Sequence, residues 1–82
     1  MSKEVIVYST PQCPYCHKTK EWLTEHNVKF KDINVAEDHE AARQMVLESG
    51  QMGVPVWKII ENGKIKRVVI GYDINALEQE FT

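Results

Sequence analysis

Cys13 and Cys16 are the only two cysteines in this 82-residue chain, and they stand three positions apart. A pair so close in sequence cannot tie distant segments together, so the chain lacks the disulfide staple that supports many small domains. It must fold around an ordinary core, and at this length one domain, residues 1–82, is expected. A hydrophobic share of 43% suffices for such a core, and the charges form no acidic or basic block.

The segments alternate between strand and helix patterns. Glu4 to Ser9 is rich in β-branched and aromatic residues and stops at Thr10-Pro11, so it predicts a first strand. From Pro14 to about Asn27, Cys16, Thr19 and Leu23 share one helical side, with Pro14 at a first-turn position that needs no N–H. Lys29 to Asn34 predicts a second strand. The acidic pair Glu37-Asp38 then favours the start of a helix running to about Ser49, with Ala42, Met45 and Val46 inward and Gly50 as its left-handed stop. Val56 to Glu61 and Lys64 to Ile70 flank Asn62-Gly63, a strong type I′ hairpin signal. Asn75 to Glu78 resembles a capping box, and Ile74, Leu77 and Phe81 share a helical face, which predicts a short closing helix. The order βαβαββα, with a right-handed crossover making the first two strands parallel, is an α/β, thioredoxin-like arrangement: a mixed four-stranded sheet with three helices.

Charge and chain length disfavour several functions. A net charge of −2 lacks the positive footprint that nucleic acid requires. Met1 to Glu4 precede only the short apolar run Val5 to Tyr8, too short for a signal peptide or a membrane span, so a cytoplasmic protein without membrane or nucleic-acid partners is expected. In a reducing compartment, a lone Cys-x-x-Cys is catalytic or metal-binding rather than structural.

A thiolate is the attacking species in disulfide exchange, and free N–H groups at a helix N-terminus stabilise its charge. Cys13, at the mouth of the first helix, is therefore expected to be the nucleophile. Cys16, one turn inside, is shielded and is expected to be the resolving cysteine, with both sulfurs on one side of the helix. Two other readings use the same residues. A zinc site would need His17, His26 or His39 to complete it, and no second ligand pair stands at finger spacing. Cys13-x-x-Cys16-His17 also matches the c-type haem attachment pattern, although its place after a strand in a βαβ unit favours redox exchange.

Cys13-Pro14-Tyr15-Cys16, Val54-Pro55 and Gly71-Tyr72-Asp73, in that order and spacing, resemble the glutaredoxin family across essentially the whole chain. The resemblance implies that Tyr15 flanks the substrate, that Val54 offers its backbone to a peptide or glutathione, that the Val54–Pro55 bond is cis, and that Asp73 faces an amino group; Asp73 also suits the N-cap of the closing helix, a role compatible with ligand contact. It also places Gln51 and Pro55 in the substrate groove. Glutathione-using members tend to be basic before the motif and at the place of Gln51, whereas here Ser9 to Gln12 and Gln51 are uncharged. That departure resembles short glutaredoxin-like redoxins whose reductant is not always glutathione.

The expected function is thus dithiol–disulfide exchange: reduction of protein or glutathione disulfides by Cys13 attack and Cys16 resolution, in cell redox homeostasis and electron transport. The protein is expected to be a monomer with no tightly bound cofactor. Glutathione is a candidate co-substrate, and a redoxin fed by thioredoxin reductase and donating to ribonucleotide reductase is the alternative. A metal- or haem-binding carrier is the reading outside this class. Trp22 and Trp57 are expected in the core, and Lys58, Lys64, Lys66 and Arg67 on a solvated hairpin edge.

Overall fold

The computed structural model describes residues 3–82; the Met1-Ser2 part of the leader reading, like those two residues of the 1–82 range, lies outside them. Seven elements follow one another: β1 (Lys3–Ser9), α1 (Pro14–Glu25), β2 (Lys31–Asn34), α2 (His39–Ser49), β3 (Val56–Glu61), β4 (Lys64–Ile70) and α3 (Ile74–Phe81). The sheet order is β2-β1-β3-β4. β1 and β2 are parallel, while β3 is antiparallel to both β1 and β4. This is the expected βαβαββα architecture.

Strand register sorts the side chains. Val5 pairs with Ile59 and Val7 with Trp57, so these four share one face. There they join Trp22 and Leu23 of α1 and Ala76 and Leu77 of α3 in the larger core. Tyr8 pairs with Val56 and Ile6 with Lys58 on the opposite face, where Met45 of α2 packs. β3 is covered on both sides, and its first four residues are all buried.

Local chemistry ends the elements where the pattern suggests. Asp38 caps α2 by accepting the Ala41 N–H at 3.0 Å, a contact of about 1 kcal/mol. Gly50 closes the helix at φ 76, a conformation that costs other residues a Cβ clash. Asn62 and Gly63 both have positive φ, at 56 and 79, as a type I′ turn demands.

Four boundaries differ from expectation, the first being that of β1, which begins at Lys3 rather than Glu4. β2 begins at Lys31 rather than Lys29. α1 ends at Glu25, two residues early, because the chain turns at Asn27 with φ 58. α3 begins at Ile74, not within Asn75 to Glu78: of the two caps the sequence offers, Asp73 is the one that takes the Ala76 N–H, at 3.1 Å.

Lys58 also departs from the hairpin-edge reading. It lies on the strand between β1 and β4, is 7% exposed, and donates to both carboxylate oxygens of Glu48 at 2.7 and 2.8 Å. Lys66 and Arg67 do stand on edge strand β4, each paired with Glu80 of α3. No helix among the described residues is long and apolar enough to cross a membrane.

Candidate active site

The end of β1 feeds a short loop that brings Cys13 to the start of α1. Cys13 is the N-cap, in extended conformation, and Pro14 occupies the first turn. The Cys13 sulfur does what an Asp or Ser oxygen does at other caps: it accepts the Cys16 backbone N–H, at 3.2 Å. A helix-terminal donor thus points at the atom that carries negative charge in a thiolate. The preceding loop is fixed twice, by the Cys13 N–H donating to the Thr10 carbonyl at 3.3 Å and by His17 Nε2 donating to the Pro11 carbonyl at 2.9 Å. His17 therefore holds the loop rather than projecting freely.

Cys16 lies one turn on, fully buried, and both cysteines are free thiols. Burial pushes the Cys16 thiol up to about 12, the neighbouring Cys13 adds to that, and the Thr10 backbone and the Lys20 ammonium oppose it. Lys20 itself pairs with Asp32 of β2 at 2.9 Å, and Asp32 also accepts from the buried Ser9 hydroxyl. The two cysteines are thus held unequally: Cys13 is half-buried at the helix mouth, and Cys16 is a protonated thiol in the interior.

The second wall of the site is the segment before β3. The Val54–Pro55 peptide bond is cis and Pro55 is buried. The Cys13 thiol faces the Val54 carbonyl oxygen across 3.8 Å. Tyr15, 58% exposed, stands one residue from the helix start with the Lys18 ammonium 5.5 Å from its ring centre.

Two other residues named from the sequence sit differently in kind. The Asp73 carboxylate is engaged as the cap of α3. The Gln51 side chain is folded back on its own loop, donating to the Gly53 carbonyl and accepting the Gly53 N–H, both at 2.8 Å. Sequence reasoning missed this closed loop and the buried Tyr8, Glu48 and Lys58 group. A lysine in the apolar stretch Val56 to Ile60 was the one available signal for the latter.

Residues 5–64 match the family model described as Glutaredoxin. A glutaredoxin-like 8.6 kDa protein of the rubredoxin operon in Clostridium pasteurianum is 43% identical over 69 residues, covering 84% of this chain and 85% of that one. Glutaredoxin-like protein NrdH of Lactococcus lactis subsp. cremoris is 40% identical over 52 residues, covering 63% of this chain and 71% of its own. Among solved structures, the thioredoxin-like protein BC3987 superposes with a TM-score of 0.76 at 29% identity, over 93% of this chain and 97% of that one.

Proposed function

The chain belongs to the glutaredoxin family, whose members are thiol–disulfide oxidoreductases, and we propose that it reduces disulfides with Cys13 as nucleophile and Cys16 as resolving thiol. The observation that carries this assignment is the unequal setting of the two sulfurs. Cys13 Sγ sits at the helix mouth with the Cys16 N–H donated to it, whereas Cys16 is buried with its thiol near 12.

In the first step the Cys13 thiolate attacks one sulfur of the substrate. A Cys13–substrate disulfide forms, the substrate's S–S bond breaks, and the departing thiolate takes a proton from water. Cys16 then passes its proton to water and attacks Cys13 Sγ. The Cys13–Cys16 bond forms and the second substrate thiolate leaves. Two electrons have passed to the substrate, and a thiol donor must return two to the protein. Tyr15, Val54 and Pro55 border the approach to Cys13, with Asp73 as a further contact for a substrate amine.

Substrates are protein disulfides or glutathione disulfide. We read glutathione as a weak donor, because its two carboxylates call for cations and Gln12 and Gln51 are neutral. Thioredoxin reductase is the second candidate, supported by the same lack of cations at Ser9 to Gln12 and at Gln51.

Trapping tests the roles. Cys16→Ser should accumulate a mixed disulfide with a protein disulfide, Cys13→Ser should form none, and iodoacetamide at neutral pH should label Cys13. Predominant labelling of Cys16, or no adduct on Cys16→Ser, rejects the assignment. Parallel turnover with glutathione plus its reductase, or with thioredoxin reductase, identifies the donor.

A further inference from the structure

The segment between α2 and β3 has no regular structure, yet it is tied down at several points. Ser49 Oγ, which donates to the Met45 carbonyl at 2.7 Å, accepts the Gln51 N–H at 3.4 Å and anchors the root of the loop beside the Gly50 cap. Farther along, the Gln51 amide pairs with both the N–H and the carbonyl of Gly53, at 2.8 Å each. This is how one strand pairs with another, here performed by a side chain, and it fixes which end of the amide is oxygen. A Cβ at Gly53 would meet Gln51 Oε1 at 2.8 Å, so the flexible Gln51 side chain would have to swing off its Gly53 contacts. Met52, between the two, is turned outward and 80% exposed. The residue after Gly53 is Val54, whose carbonyl faces Cys13.

We infer that Gln51 is a positioning residue: its amide, closed on the backbone of Gly53, holds Val54 opposite Cys13 and so sets how well a polypeptide disulfide is held for attack. This role rests on the thiol–disulfide reading of the site. A polypeptide has backbone groups to lay against Val54, whereas a small disulfide without a peptide bond has none, so the two classes of substrate report different things. The loop therefore favours polypeptide disulfides through backbone geometry, with no charge from Gln51 involved.

The test uses the pre-reduced protein in single turnovers against insulin, a protein disulfide, and against cystamine, a small disulfide lacking any peptide group. Formation of the Cys13–Cys16 bond is followed by acid trapping and mass measurement. Gln51→Ala should raise the half-saturating insulin concentration with little change in the limiting rate, lowering the insulin-to-cystamine ratio of second-order rates about fivefold, as loss of contacts of this strength implies. Gly53→Ala should lower the ratio similarly in the parent, where the new Cβ strikes Gln51. It should add less than about twofold in the Gln51→Ala background, where nothing is left to strike. Thermal melting shows that each variant is folded. A ratio unchanged in Gln51→Ala, or insulin and cystamine rates falling together, overturns the inference while the function stands. A parent inert toward both disulfides overturns the function and the inference with it.

Discussion

On one face of the sheet, under α1 and α3, the apolar cluster is built of Val, Leu, Ile, Ala and two tryptophans, with Trp57 fully buried and Trp22 stacked on His26 at 3.7 Å. On the other, under α2, a smaller apolar cluster surrounds an ion pair. The Lys58 and Glu48 side chains, 8% and 10% exposed, meet at 2.7 Å, and the Tyr8 hydroxyl and the Gln44 amide also donate to Glu48. The first face gains stability from area removed from water and is indifferent to direction. The second gains little net from its charges, since desolvation offsets attraction, but it is intolerant of partial loss. The difference matches what each face carries. The dry face anchors the helix that bears both cysteines, and the polar face pins the C-terminal end of α2, from which the Gln51–Gly53 loop departs toward Cys13.

The contrast breaks most severely where the dry face loses its largest side chain. Trp57→Ala should cost about 3 to 5 kcal/mol in urea unfolding, close to the whole stability of a small domain. A loss below about 2 kcal/mol would mean that this face collapses readily around a void.

Next comes the polar face. Glu48→Gln leaves the Lys58 ammonium buried without its anion and should cost about 3 kcal/mol. Glu48→Leu with Lys58→Met removes both charges and should recover most of that loss. If the double variant is no better than the single one, the pair itself, and not the orphaned charge, supplies the stability.

A pH series sharpens the contrast further. Burial alone would raise the Glu48 carboxyl, but hydrogen bonds from Gln44, Lys58 and Tyr8 outweigh it and hold the group below its usual range. Its contribution is present above its unfolded value of about 4.3 and disappears as pH falls through the lower folded value. Lys58 has the opposite sign: burial would lower it, but Glu48 and Tyr8 outweigh that and raise it. Its contribution is present below about 10.4 and disappears as pH rises through the folded value. Stability measured across pH should therefore fall at both ends and be flatter in the Glu48→Leu, Lys58→Met variant. Flattening at the acid end is partial, because Glu80 is also held low: burial opposes this, and Lys66 and Arg67 prevail. An equally curved profile in the double variant would assign the pH dependence to other groups.

The smallest effect is expected at the surface, where edge strand β4 meets α3. Lys66→Ala removes a 3.1 Å pair whose lysine is 43% exposed, and should change stability by about 0 to 1 kcal/mol. A loss near that of Glu48→Gln would erase the distinction between the faces' charges.

Most of the fold was legible because it rests on local rules. The ranges of β3 and β4 follow from alternation around Asn62-Gly63, and Gly50 announces the end of α2. The Cys-x-x-Cys after a strand and before a helix located the redox centre, and Pro14 fixed where the helix begins. Less legible was which of two nearby polar residues caps α3, since Asp73 and Asn75 both suit the role and the fold gives it to Asp73.

The order of elements follows from interactions among residues a few positions apart, and the dithiol stands in the chain itself. Sheet register and helix docking, by contrast, bring Tyr8 to Glu48 across 40 positions, bury Lys58 with the same carboxylate and set Val54 opposite Cys13 across 41. Gln51 adds a shorter-range case, since its amide had several possible partners until the turn after Gly50 directed it at Gly53. The reason is physical. Periodicity and capping reward a residue whatever lies elsewhere, whereas a buried charge or a folded-back amide is tolerated only where the sheet register and helix docking deliver its partner to within hydrogen-bond distance.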